Sequence, residues 1–131
     1  ATLTPPPPPP PAGAPTSLGA TRYDGRWIAT RACEVAPGRP AFSDRWAATI
    51  QGGEAVIQGG QAGTPGFFLA RGRIAADGAL ALNGTWIPAI GGNAGRELPI
   101  NFSGRFENER YEGPGFAGRR PCTMTLTRAG S

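Results

Sequence analysis

The chain has 131 residues, with 21 glycines, 15 prolines, 39% hydrophobic residues and only 17% charged residues. This length predicts one domain, and the composition excludes the highly charged, aromatic-poor class of disordered chains. The formal net charge is +4, and all 13 basic residues are Arg, scattered among 9 acids; no basic run is interleaved with aromatics, so nucleic-acid binding is not expected.

The N-terminal segment is rich in proline, and we assign residues 1–20 to a tether and residues 21–131 to a folded β-domain. Seven consecutive prolines favour a polyproline II rod about 22 Å long; they are Pro5, Pro6, Pro7, Pro8, Pro9, Pro10 and Pro11. One interpretation is a spacer that holds the domain clear of a membrane, wall or neighbouring domain. The other is a docking peptide, because such a rod loses little entropy on binding, and it makes these prolines interface candidates.

Beyond residue 20 the chain predicts short strands joined by turns, with no helix. In the first strand, Trp27, Ala29 and Arg31 face inward if Cys33 does, because alternate side chains share one face of a strand. In "WAATIQGGEAVIQ", a two-residue turn at Gly52-Gly53 pairs Ile50 with Ala55.

Two further hairpins follow from the same alternation. A three-residue loop with Gly78 in the left-handed conformation places Ile74 opposite Leu80. A turn at Asn108-Glu109 pairs Phe106 with Tyr111. In the last strand, "CTMTLTR", Cys122, Met124 and Leu126 point inward.

About eight antiparallel strands joined mostly by hairpins predict an all-β fold. An up-and-down β-barrel is the leading architecture, because closure leaves no sheet edge, and a two-sheet sandwich is the alternative. Four glycines fall on the predicted inner face: Gly72, Gly84, Gly104 and Gly113. They either allow strong bending of the sheet or make room for a ligand.

Cys33 and Cys122 are the two cysteines of the chain. Their spacing fits neither a CxxC redox motif nor a zinc site, and the chain has no His. We expect a disulfide between the first and last strands, with two buried free thiols as the alternative. A disulfide indicates an exported protein, periplasmic or extracellular after cleavage of a signal peptide. No stretch is long and apolar enough to predict a transmembrane segment.

Catalysis is not expected, because no His is present and the acids of the predicted strands fall on outer faces. No cofactor and no metal are predicted. Long loops flank Trp86 and form a predicted rim of aromatic and Arg side chains, which are typical interface anchors. The rim residues, all interface candidates, are Phe67, Trp86, Arg96, Phe116, Arg119 and Arg120. The alternative is that these loops are ordinary solvated loops with no binding role.

The stretch "YDGRW", Tyr23 to Trp27, resembles the Gly-x-Trp that opens the first strand of lipocalins and other calycins. In that family a late Arg packs over the early Trp and closes one end of the barrel. The resemblance implies that role for Trp27 and Arg128, by a cation–π contact. It covers only these few residues, and the later lipocalin motifs are absent.

The chain as a whole resembles the small exported one-disulfide β-domains of high-GC bacteria, whose function is uncharacterised. The residues that carry this likeness are "YDG.W", "G.I..DG.L.L.G" from Gly72 to Gly84, and "GRRPCTMTLTR" at the end. It implies export, a disulfide and β-structure, and no chemistry. The arm and size also resemble small barrel-shaped inhibitors of bacterial metalloproteases, from which the cysteine spacing differs.

These observations leave three hypotheses open. The first is a non-catalytic exported module that binds a protein partner, as an accessory subunit of a cell-envelope assembly held by its proline arm. The second is a barrel that binds a small apolar molecule or sugar. The third is an enzyme inhibitor that acts through the N-terminal arm. A filled interior favours the first hypothesis and an open cavity the second.

Overall fold

The structure is a computed structural model that describes residues 21–35, 37 and 40–129. Its elements are eight strands: β1 (Gly25–Cys33), β2 (Phe42–Gln51), β3 (Glu54–Gly59), β4 (Phe68–Arg73), β5 (Ala79–Trp86), β6 (Leu98–Glu107), β7 (Arg110–Ala117) and β8 (Arg120–Arg128). Each pairs antiparallel with the next, and β8 pairs with β1, which closes the barrel. The all-β barrel prediction is confirmed, and the sandwich alternative is excluded. No helix in the described part of the chain is long and apolar enough to cross a membrane.

The turns predicted from glycine and polar pairs have the predicted registers. Ile50 pairs with Ala55 across the Gly52-Gly53 turn, and Phe106 pairs with Tyr111. Gly78 has a φ of 90°, the left-handed conformation that the three-residue loop requires. The alternation of apolar and polar residues on each strand fixes these registers, because a slip by one residue would turn the core face outward.

The barrel has two unlike ends. The tight turns after β2, β4 and β6 lie at one end, together with the chain segments that precede β1 and follow β8. The connections after β1, β3, β5 and β7 lie at the other end, and three of these are long loops. We call the first the closed end and the second the mouth.

Aromatic packing fills the closed end. The Phe106 ring stacks on Tyr23 with centroids 4.1 Å apart and meets Trp27 at 5.3 Å. The Arg128 guanidinium lies 4.6 Å from the Trp27 ring centroid and donates to the carbonyl oxygens of Arg22 and Asp24. This end is therefore capped by a cation over an aromatic layer, and the capping contact joins the two residues that the calycin resemblance singled out.

The inner-face glycines lie where neighbouring backbones approach closely. A Cβ added at Gly84 would lie 1.7 Å from the Leu69 carbonyl oxygen, and one at Gly104 would lie 1.9 Å from that of Glu112. These atoms belong to the backbones of adjacent strands, so a side chain at either position would force the strands apart. The glycines therefore serve the strong coiling of a small barrel, and buried side chains such as Leu80, Leu82 and Phe102 fill the interior.

The disulfide between Cys33 and Cys122 is present, as predicted. The two residues are register partners at the β1–β8 seam. The cross-link therefore ties the first strand to the last at the point where the sheet closes, on the mouth side of the barrel.

Candidate functional site

The mouth of the barrel opens into a cavity of about 1500 Å³. Its floor carries the aromatic side chains of Phe42, Trp46 and Trp86, and its wall is built from the four mouth connections. Pockets of this kind, concave and mostly apolar with a few convergent polar groups, are the usual sites of small-molecule binding. The cavity is therefore the candidate site of this molecule.

The alternation of side chains along β2 positions the floor of the cavity. Phe42, Asp44 and Trp46 alternate along β2 and point inward with Ala48 and Ile50. The Trp46 indole stacks on Phe68 of β4, with centroids 4.0 Å apart. A Cβ at Gly59, on the intervening strand β3, would lie 2.1 Å from the indole, so a glycine is needed there to make room for Trp46.

A buried guanidinium lies directly beneath this floor. Arg31 is fully buried, 0% exposed, and is the register partner of Asp44 on β2. Its Nε and Nη2 donate to the two oxygens of Asp44 at 3.1 and 2.6 Å. The Asp44 side chain is 35% exposed and lines the cavity. The pair therefore reaches from the barrel interior to the cavity surface.

Four aromatic rings enclose the Arg31 guanidinium. Its central carbon lies 3.9 Å from the Trp86 ring centroid and between 5.2 and 5.3 Å from those of Phe42, Trp46 and Phe68. Burial lowers the pKa of Arg31, and the hydrogen bond and charge of Asp44 oppose that shift. The guanidinium keeps its charge in such a setting, because Arg is not deprotonated in proteins.

One donor of Arg31 has no partner. Nη1 is buried and makes no hydrogen bond within the described part of the chain. An unsatisfied buried donor carries a desolvation penalty of about 1–3 kcal/mol, more for a charged group. Such groups are rare in native proteins and call for a structural or functional reason.

The predicted rim residues occupy three different settings. Trp86, Arg96, Arg119 and Arg120 all line the cavity. Phe116 is half-exposed on the outward side of β7 and is not among the lining residues. Phe67 is buried, because the backbones of Gly66 and Phe67 hydrogen-bond to Ile87 and extend the β4–β5 ladder toward the mouth.

Arg120 holds a mouth loop in place. It donates to the carbonyl oxygens of Glu34 and Pro40, which lie on either side of the β1–β2 connection. Its guanidinium carbon lies 4.8 Å from the Phe42 ring centroid. Arg120 therefore stabilises a loop of the mouth and also contributes positive charge to the cavity. The predicted interface prolines, Pro5 to Pro11, lie outside the described residues.

Sequence reasoning missed the central pair of the site. It placed Arg31 on the inner face but gave it no role, and it did not pair Asp44 with it. The available signal was an Arg and an Asp that both alternate with inward apolar residues on consecutive strands. In the described part of the chain, no group of three or more His, Cys, Asp and Glu side chains is placed to hold a metal ion.

The chain was compared with protein-family models, curated proteins and solved structures. None of them matches. The fold and the geometry of the mouth therefore carry the functional argument alone, and a barrel is a scaffold that hosts many unrelated functions.

Proposed function

We propose that the protein is a non-catalytic binding barrel that takes an apolar small molecule into its mouth. The observation that carries this proposal is the 1500 Å³ cavity with an aromatic floor, at the one end of the barrel that is not capped. Phe42, Trp46 and Trp86 line the cavity with aromatic surface against which a flat apolar molecule can pack. The cavity therefore supports the small-ligand hypothesis, which a barrel without a cavity would not.

The titratable groups of the cavity support a binding role over a catalytic one. Both oxygens of the Asp44 carboxylate already accept hydrogen bonds from Arg31, so the carboxylate is engaged in an ion pair. The other charged side chains of the described lining are Arg96, Arg119 and Arg120. Arginine does not exchange protons at neutral pH, so these groups suit recognition.

The disulfide supports export to the periplasm or the cell exterior, since such bonds persist in oxidising compartments. The position of Thr21 is compatible with the spacer interpretation of residues 1–20. Thr21 bonds to Asp24 at the closed end, opposite the mouth. A barrel held by that segment would turn its mouth away from whatever holds it.

Mapping of a neutral aromatic probe tests this proposal. The full 131-residue chain, labelled with ¹⁵N, is titrated with 2-naphthamide and followed through its backbone amide resonances. We expect saturable shifts in the mouth loops, at 89–93 and 117–120, and none at the Gly52-Gly53 turn of the closed end. Shifts spread over both ends, or no binding of 2-naphthamide or of its carboxylate analogue 2-naphthoate, would refute the proposal.

A matched pair of variants localises the same site by affinity. Ile90→Asp places a charge on the cavity wall, whereas Val56→Asp places one on the outward face of β3. We expect the first to weaken 2-naphthamide binding and the second to leave it unchanged. Equal effects would mean that the probe does not bind in the mouth.

Binding of a protein partner is the second candidate, and one observation favours it. Val35 and Ile90 are 72% and 85% exposed, and both line the cavity. Exposed aliphatic side chains around a cavity are typical of an interface. Partner binding that is lost in Ile90→Asp, with 2-naphthamide failing to bind, would favour this candidate. The inhibitor hypothesis depends on residues 1–20, outside the described residues.

A further inference from the structure

The free donor of Arg31 lies beneath the aromatic floor of the cavity. Asp44 occupies the Nε–Nη2 edge of the guanidinium, which leaves the edge formed by Nη1 and Nη2. Nη1 has no acceptor in the described part of the chain. Three of the four rings around the guanidinium, those of Phe42, Trp46 and Trp86, line the cavity. The unpartnered donor is therefore separated from the cavity by the rings of the floor and not by a deeper layer of the core.

The charge of the mouth is not balanced. Arg31 and Arg120 both lie against the Phe42 ring, and the charge of Arg120 acts on Arg31. Asp44 compensates one of these two cations, while Arg120 bonds to backbone carbonyl oxygens. Of the described residues that line the cavity, Asp44 is the one carboxylate, against three arginines. A monoanion placed here would meet an excess of positive charge.

We propose that the ligand of the mouth is a carboxylic acid with a flat apolar body, and that Arg31 Nη1 donates a hydrogen bond to its carboxylate. This inference rests on the proposed function and names the ligand class. The aromatic floor takes the apolar body, and the guanidinium edge matches the geometry of a carboxylate. A singly charged acid suits this floor better than a phosphate dianion, because desolvating a second charge among aromatic rings is costly.

The rings of the floor cover the free donor. The Trp86 ring is the nearest of them, 3.9 Å from the guanidinium carbon, and Trp86 is the last residue of β5, next to the long β5–β6 loop. Because Arg31 is fully buried, the rings of the floor have to shift before a ligand oxygen can reach Nη1. Binding of the acid should therefore change Trp fluorescence as well as the Arg31 side-chain resonances.

The test compares an acid with its neutral isostere. Calorimetry on the full chain at pH 7 measures the affinities of 2-naphthoate and 2-naphthamide, which share the same ring system. We expect the acid to bind at least about 10-fold more tightly, the size of a charge-assisted hydrogen bond. In the wild-type protein, the Arg31 Nη and Nε resonances should shift with the acid and not with the amide.

Two variants give opposite expected results. Asp44→Asn keeps an acceptor for Arg31 but removes the competing charge, so the preference for the acid should rise. Arg31→Met with Asp44→Asn removes both charges, so the preference should fall to near 1. If the Arg31–Asp44 pair had only a structural role, the preference for the acid would change in the same direction in both variants. Near-ultraviolet circular dichroism checks that each variant is folded, and the wild-type resonance test needs no variant.

The control for rim charge is Arg96→Gln with Arg119→Gln, which removes two lining cations and leaves Arg31 intact. Most of the acid preference should survive in this variant. Its complete loss there would assign recognition to the rim and overturn the role of Arg31. Equal affinities of acid and amide in the mouth would overturn the inference and leave the proposed function standing, whereas failure of both probes to bind would overturn both.

Discussion

The Arg31 guanidinium and the Asp44 carboxylate face each other across β1 and β2 as register partners, joined by two hydrogen bonds. Their exposures are unequal: Arg31 is fully buried, whereas about a third of the Asp44 side chain reaches the cavity. Loss of either partner leaves the other charge alone. The two losses should differ in their cost to stability, because an unpaired Asp44 carboxylate can be solvated whereas an unpaired Arg31 guanidinium stays buried.

We expect Asp44→Ala to destabilise the barrel by about 3–5 kcal/mol, since it leaves a buried guanidinium without its counter-charge. Arg31→Met keeps much of the side-chain volume and leaves a carboxylate that water can reach, so it should cost less. Chemical denaturation of both variants at pH 7 measures the difference. A larger cost for Arg31→Met would show that aromatic packing of the guanidinium outweighs its charge pairing.

Gly84→Ala should destabilise the fold by about 3 kcal/mol, because the added methyl meets backbone that cannot move without separating β4 from β5. The matched variant is Gly63→Ala, at a φ of 79° with no atom within 4 Å of the new methyl. It should cost about 1 kcal/mol for conformation alone. Denaturant midpoints compare them, and equal costs would argue against a tight strand contact at Gly84.

Most of the fold follows from local sequence signals. Gly52-Gly53, Asp77-Gly78 and Asn108-Glu109 each separate two alternating runs, and alternation leaves one register that turns most of the apolar side chains inward. The same pattern favours barrel closure, because closure hides the two edges of an eight-stranded sheet, but the pattern alone also allows a two-sheet sandwich.

The candidate site was harder to predict, because it depends on contacts between distant parts of the chain. The β1–β2 connection has no turn signal that fixes the register, so the pairing of Arg31 with Asp44 could not be derived from spacing. Phe67 looked like an exposed loop aromatic, but backbone bonding to Ile87 continues the ladder and buries it. Arg120 looked like a free rim cation, but it holds the carbonyl groups of a neighbouring loop.

Removal of the disulfide should lower stability by about 4–5 kcal/mol in the chain-entropy model, because the bond closes a loop of 89 residues. The double variant Cys33→Ala, Cys122→Ala and the wild type are unfolded with denaturant in parallel. The reduced wild type should match the double variant. A stability loss confined to the variant would mean that the alanines perturb packing beyond the lost cross-link.

Arg128→Ala should cost about 1–2 kcal/mol, because the side chain ties two carbonyl groups, Glu109 and the Trp27 ring at the closed end. Arg105→Ala is the control: its ion pair with Asp77 is exposed, so it should cost about 0.5 kcal/mol or less. Thermal unfolding of both variants makes the comparison. Equal shifts in Tm would remove the special role of the capping contact.

The hydrogen bond from Arg128 also holds the pKa of the Glu109 carboxyl below its ordinary value of 4.5. A lowered folded-state pKa adds stability that is present above 4.5 and is lost as the pH falls through the folded-state value. Arg128→Ala should therefore have a weaker pH dependence below 4.5 than the wild type. An unchanged pH dependence of stability below 4.5 would show that the Arg128–Glu109 hydrogen bond does not lower the pKa of Glu109.

The Tyr111 phenol makes the stability of the barrel depend on pH in the alkaline range. Its hydroxyl is buried and donates to the Leu80 carbonyl oxygen at 2.9 Å, and burial raises the pKa of the phenol above its ordinary value of 10.0. Above pH 10 the unfolded chain ionises at this residue while the folded chain does not. The contribution of Tyr111 to the free energy of unfolding should therefore be constant below pH 10 and fall by up to about 1.4 kcal/mol per pH unit above it.

Tyr111→Phe separates this effect from packing. The variant should lose about 1 kcal/mol at neutral pH, because the Leu80 carbonyl group loses a donor, and it should lack the Tyr111 part of the alkaline decline. Denaturation curves at intervals from pH 7 to 11 give both quantities. An equally steep decline in the variant would mean that another group causes the alkaline loss, and that the Tyr111 phenol ionises as readily in the folded barrel as in the unfolded chain.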